Sequence, residues 1–237
     1  MPVLDSWKIN LSADDILRLQ GADPLQTRQR RPVMVSVAEW AAQESLPLLQ
    51  PQVLYQEFTV QGMTHERIAL QNSHNTARRL YVSGPLVAQH LRGARQVIAM
   101  LCTIGGQLEE AVSALINDDL LRGLALDAAG SAAAETLATC ASHHFEARAA
   151  SQGWQCSMPL NPGMAGWEVP EGQEQVFNLL AAERQAHAEF PVSLNAAYLM
   201  FPQKTISLVL GVGAELKPAG KICDYCSLRE TCRYQAR

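Results

Sequence analysis

Three cysteines near the end of the chain, Cys223, Cys226 and Cys232, are spaced C-x2-C-x5-C. Thiolates two residues apart bind one metal centre from a single tight turn. The segment around them is short and polar, with little to form a core, so burial does not account for them. They predict a metal site holding an iron–sulfur cluster, with zinc as the alternative, because the spacing admits both. Either centre wants four ligands. Cys102 and Cys156, in loop-like contexts that reach outward, are candidates for the fourth. Cys140, on the small-residue face of a helix, reads as core but stays in the candidate set beside a histidine or water.

Other residues suit small-molecule binding. Residues 103–106, Thr-Ile-Gly-Gly, stand between an apolar run and a helix, a placement that turns backbone N–H groups towards an anion. No Lys-Ser/Thr follows, so this is not a Walker loop. Gly211-x-Gly213 lacks a third glycine and has Pro218 where a helix would run. Residues 158–167, Met-Pro-Leu-Asn-Pro-Gly-Met-Ala-Gly-Trp, contain a Pro-Gly turn and a tryptophan able to line a pocket or anchor the loop. Asp127, Ser131 and Glu135, at i, i+4 and i+8, share one helix face, where a carboxylate meets either solvent or a cationic ligand. His143, His144 and His187 have no H-E-x-x-H companions, and no G-x-S-x-G motif is present.

The elements that must carry these residues follow from pattern. Ser12 caps a helix over 12–19, and further helices are expected over 37–49, 85–90, 107–116, 120–150 and 172–188. Residues 53–60 alternate as a strand able to pair with 67–70, and the apolar run 96–101 predicts a buried central strand. Strands over 194–200 and 205–212 close the chain. Residues 128–141 are nearly all small, which lets a helix pack closely on its neighbours.

The 237 residues are 48% hydrophobic and 18% charged, which predicts a folded core and excludes general disorder. A net charge of −4 gives no broad basic surface, so nucleic acid is not the expected partner. The one basic run, residues 28–31, precedes Pro32 and reads as a solvated loop or a docking spot for an acidic partner. No signal peptide or membrane span is legible, which predicts a soluble cytoplasmic protein whose cysteines are reduced, ligated or buried.

Four segments in this order resemble the activation (reactivation) domain of cobalamin-dependent methionine synthase and its free-standing relatives. They are the C-T-I-G turn at 102–105, and the small-residue helix with Asp127, Gly130 and Glu135. They continue with the N-P-G-M-x-G-W loop at 161–167 ahead of Q-x-x-x-F-x-L-L at 173–180, and Y-L-M-F-P-Q-K-T-I-S at 198–207. The resemblance is good over residues 90–214. It implies an α+β fold: a twisted, mainly antiparallel sheet with packed helices, preceded by a small N-terminal helix and hairpin subdomain. The divisions expected are 1–90, 91–216 and the cysteine tail 217–237. The resemblance further implies S-adenosylmethionine in a shallow groove beside the sheet, with Pro162, Gly163 and Met164 along it, Glu135 facing it from the helix and Tyr198 touching it from a strand. Met164 stands where the family usually has tyrosine, and no arginine precedes the turn. The implied partner is a corrinoid-binding protein or methyltransferase, and a cluster in the tail gives a reductive role a source of low-potential electrons. The alternative is a non-enzymatic docking partner with a structural zinc tail.

Overall fold

The computed structural model describes residues 2–72, 75–216 and 230. Its architecture is α+β, built on one antiparallel sheet of seven strands. A short β1 (Val3–Leu4) precedes α1 (Ala13–Leu19). Ser12 caps α1 in a capping box, its hydroxyl accepting from the Asp15 N–H while the Asp15 carboxylate accepts from the Ser12 N–H. Helices α2 (Pro24–Arg30) and α3 (Pro32–Glu44) follow. The basic run is therefore not a loop. Asp23 caps α2 and Pro24 opens it, while Arg28 and Arg30 fall in its last turn, where cations oppose the helix dipole. Arg28 also pairs with Asp14 of α1.

Strands β2 (Gln52–Met63), β3 (Arg67–Asn72) and β4 (Asn75–Ser83) form a meander. After α4 (Pro85–His90), β5 (Gln96–Thr103) returns beside β2, with Gln52 opposite Thr103 and Thr59 opposite Gln96. The strands before and after residue 90 are thus parts of one sheet. Helices α5 (Gln107–Leu115) and α6 (Leu120–Ala150) come next, then β6 (Gln155–Cys156). The expected helix over 172–188 is two helices, α7 (Val169–Leu179) and α8 (Ala181–Ala186). The expected strand over 194–200 is a small hairpin, β7 (Ser193–Leu194) with β8 (Met200–Phe201). Its turn is closed by the Asn195 Oδ1, which accepts from the N–H groups of Ala197 and Leu199. Last, β9 (Thr205–Gly213) pairs with β5 along its length.

Strand β5 is apolar from Val97 to Cys102 because both its faces are covered. Val97, Ala99 and Leu101 join Leu54, Phe58, Val209 and residues of α4 and α7 on one side. Ile98, Met100 and Cys102 join Leu208, Leu210 and residues of α5 and α6 on the other. The small residues of α6 serve a second contact, since Ala125, Ala128 and Ala129 pack on Ile16, Leu17, Ala38 and Ala41 of α1 and α3. Side chains of this size let helices approach closely. Among the described residues, no helix is long and apolar enough to cross a membrane.

Candidate functional site

The outer edge of β9 is met by the loop that carries Pro162, Gly163 and Met164, through Leu160 and Asn161. The N-terminal root of the strand is fixed first. Lys204, just before β9, donates its backbone N–H to the Glu109 Oε1 of α5 at 2.7 Å and accepts at its carbonyl from Ile104 at 3.3 Å. Its ammonium lies 2.7 Å from the Asp127 Oδ1 and 2.9 Å from the Ser131 Oγ, both on α6. Gly130 makes room for it, because a Cβ there would stand 3.3 Å from the lysine Cγ and Cε and 2.6 Å from the Leu108 Cδ2. The turn over 103–106 belongs to the same root. The Thr103 hydroxyl accepts from both the Gly105 N–H and the Thr205 hydroxyl. Gly105 has φ +78°, and a Cβ on it would meet Gln50 at 2.8 Å. Geometry and close approach thus account for this glycine.

Further along β9, Ser207 donates its hydroxyl to the Gln173 Oε1 of α7 at 2.9 Å, and its carbonyl accepts from the Asn161 Nδ2 at 3.0 Å. Leu160 then bridges Val209 in both directions. Beyond it the edge is closed by Ser157 and β6. Among the described residues no strand pairs with Thr205, Ile206 or Ser207 on this side.

Glu135 lies on α6, one turn beyond Ser131. Helix α6 runs in the same direction as β9, since its start holds Lys204 while Phe145 and Arg148 line a cleft with Val212. One turn beyond Ser131 is about 6 Å of helix, and two residues beyond Lys204 are about 7 Å of strand. Glu135 is therefore level with Ile206. Glu135 is exposed on the helix surface, yet neighbouring protein partly desolvates its carboxyl and raises its pKa above the ordinary glutamate value of 4.5. Among the described residues it has no ion-pair partner.

Residues 161–167 adjoin the open stretch through Asn161. Gly163, at φ +97°, donates its N–H to the Trp167 carbonyl, and Trp167 returns an N–H to the Met164 carbonyl. Pro162 and Gly163 reach the surface, whereas the Met164 side chain is buried and its sulfur accepts from the Asn161 N–H at 3.3 Å. Met164 is thus a peg under the turn. Fully buried Trp167 anchors the loop through its indole N–H, which donates to the Gln175 Oε1 at 3.2 Å. Tyr198, half-buried, stands in the β7–β8 turn at φ +60°, rare for a bulky residue. Beside this hairpin an open cleft of about 610 Å³ is lined by Gly106, Glu109, Glu110, Ser193, Phe201 and Pro202 among others.

The buried links of Ser207 with Gln173 and Asn161, and of Lys204 with α6, were not legible as a site. Their sequence signals are the shared helix face of Asp127 and Ser131 and the segment 198–207 that holds Lys204 and Ser207, neither of which names its partner. Cys223, Cys226 and Cys232 lie outside the described residues. Among the described residues no three of His, Cys, Asp and Glu come together as a metal site. Two candidates for the fourth ligand need correction. Cys102 is fully buried in β5, where desolvation pushes its thiol up to about 12. Cys156 is buried in β6 and pushed up to about 11, by desolvation first and then by Glu146. Neither reaches outward from a loop, because both stand in strands. Cys140, expected in the core, is half-buried. Alkylation of the native protein at pH 8 is expected to leave Cys102 and Cys156 unmodified until denaturant is added, since the thiolate is the nucleophile. Peptide mass spectrometry reads this directly, and rapid native labelling of Cys102 would contradict its burial.

No protein-family model matches the chain, and no curated protein matches it in sequence. A solved structure does match: the crystal structure of the MetH reactivation domain bound to AdoHcy. The TM-score is 0.61 at 12% sequence identity, over 94% of this chain and 83% of that one. The chain therefore has the fold of that reactivation domain.

Proposed function

We propose that this chain is an accessory protein for the reductive reactivation of a corrinoid methyltransferase, and that the open edge of β9 holds S-adenosylmethionine. The observation that carries the reading is the fold shared across 94% of the chain with a domain that has AdoHcy bound. The residues at the edge fit such a ligand. Glu135 offers an unpaired carboxylate to a sulfonium or ammonium group, in a partly desolvated setting that strengthens the attraction. Pro162 and Gly163 give a surface ridge, the peg of Met164 fixes their height, and Tyr198 adds an aromatic wall. Asn161 already takes the Ser207 carbonyl, and the remaining backbone of this edge near Thr205, which no strand pairs among the described residues, would supply hydrogen bonds to the ligand.

In this reading one electron takes the partner's corrinoid from Co(II) to Co(I). The Co(I) electron pair then takes the sulfonium methyl, and S-adenosylhomocysteine leaves. Cys223, Cys226 and Cys232 would hold an iron–sulfur cluster, which supplies an electron of strongly negative potential. The deciding experiment is anaerobic purification of the wild type and Cys226→Ser, followed by visible absorption, metal analysis and titration with S-adenosylmethionine. Visible absorbance with iron and sulfide, lost in Cys226→Ser, is the expected result. A colourless protein with stoichiometric zinc would remove the electron-transfer half and leave a docking partner with a stapled tail. A wild type that does not bind S-adenosylmethionine would remove the ligand half.

A further inference from the structure

We infer that Lys204 is a positioning residue for the proposed ligand site: its ammonium ties the root of the β7–β8 hairpin to α6 and so sets where Tyr198 stands relative to Glu135. The inference rests on the ligand reading above and adds a residue to it. Lys204 is the junction of several elements, bound through its N–H to α5, through its carbonyl to the turn after β5, and through its ammonium to two residues of α6. Its side chain is only 15% exposed. A lysine so far removed from water must be paired, and the seat opened by Gly130 brings it to Asp127 and Ser131.

The hairpin needs such a tie. Its ladder is two residue pairs long, too short to hold an orientation by itself. Leu194 and Met200 pack on the core shared with α7, which fixes one side. The α6 side is fixed at the root, by Lys204. The same ion pair neutralises Asp127, so that of the row Asp127, Ser131, Glu135 only Glu135 keeps a carboxylate free for a cation.

The test uses the full chain as wild type, Lys204→Met, Lys204→Arg, Asp127→Asn and the double variant Lys204→Met/Asp127→Asn. Methionine keeps the stem in its seat, and Asp127, 49% exposed, can be solvated once unpaired, so these proteins are expected to fold. Two readouts are taken: amide hydrogen exchange over residues 195–201 without ligand, and the dissociation constant for S-adenosylmethionine. Lys204→Met is expected to speed exchange in the hairpin and weaken binding about tenfold. Lys204→Arg should restore most of both, and the double variant should be no worse than Lys204→Met, because the paired groups act as one unit. Unchanged exchange in Lys204→Met overturns the inference, even where binding weakens, since the lysine would then act on the ligand and not through the hairpin. Faster exchange with unchanged affinity overturns it as well. A wild type that binds no ligand removes the ligand reading instead, and the tie between Lys204 and the hairpin is then decided by exchange alone.

Discussion

Trp167→Ala is expected to lower the unfolding free energy by about 3–5 kcal/mol, a large fraction of the stability of a domain this size. The indole is fully buried in the core shared by β5, α4 and α7. Its removal loses apolar burial and leaves a cavity that rigid neighbours cannot fill. Gly172 shows how tight the site is, since a Cβ there would stand 2.8 Å from the Pro162 Cβ and 3.0 Å from the Trp167 Cε2. The effect has two parts that a second variant separates. Trp167→Phe keeps most of the apolar volume but loses the N–H given to Gln175. That acceptor still takes the Ser83 N–H at 3.0 Å, so the loss should be nearer ~1–2 kcal/mol. Urea denaturation followed by circular dichroism measures both. At about 2–4 °C per kcal/mol, Trp167→Ala should melt roughly 10 °C lower. A Trp167→Ala protein within about 1 kcal/mol of wild type would show that the indole is not the anchor of residues 161–167. If it is, the variant's Pro162 and Gly163 lose their fixed height, and ligand affinity should fall with stability.

The elements that were legible in the sequence are those whose cause is local. The bounds of α6 follow from Asp119 capping it and from a sequence rich in Ala and Leu with no proline, and β5 follows from its apolar run. Helix α2 was missed although Asp23 and Pro24 signal its start. With Leu25 exposed it carries almost no apolar stripe, and the basic residues of its last turn read as loop. The split of α7 from α8 has neither glycine nor proline at Leu180 to announce it. The hairpin at 193–201 depends on Asn195 closing a turn on itself, which strand periodicity does not report. At the site the gap is wider, because its geometry is long-range. Ser131 and Glu109, which hold Lys204, are 73 and 95 positions away from it. Tyr198 follows from family likeness alone, whereas Glu135 also stands out by its helix face and Pro162, Gly163 and Met164 by the Pro-Gly loop that holds them. That likeness did not indicate that the Met164 side chain faces inward, which depends on the packing around Asn161.

Glu135→Gln is expected to abolish an acid-range pH dependence of S-adenosylmethionine binding and to weaken that binding about tenfold at neutral pH. Partial desolvation raises the Glu135 pKa above 4.5, so the folded protein holds this proton more tightly than the unfolded chain does. In the window between the two values the native state binds more protons, and stability falls as pH rises through it. Above the window the carboxylate is charged and unpaired, a standing cost to the free protein that Gln removes. The variant should therefore be no less stable than wild type at neutral pH, while binding less well. A cationic ligand reverses the balance, because it favours the charged carboxylate and pulls the pKa back down. Wild-type affinity should thus rise with pH through the window and level off above it. The sulfonium is charged at every pH, so an acid-range slope belongs to the protein. Calorimetric titrations from pH 4 to 8 on both proteins, with S-adenosylhomocysteine as the neutral thioether control, read the effect. The preference for the sulfonium over the thioether should narrow in Glu135→Gln. Parallel pH profiles for the two proteins would mean that the carboxylate facing the ligand is another one, and Glu109 and Glu110 in the cleft beside the hairpin are then the groups to replace.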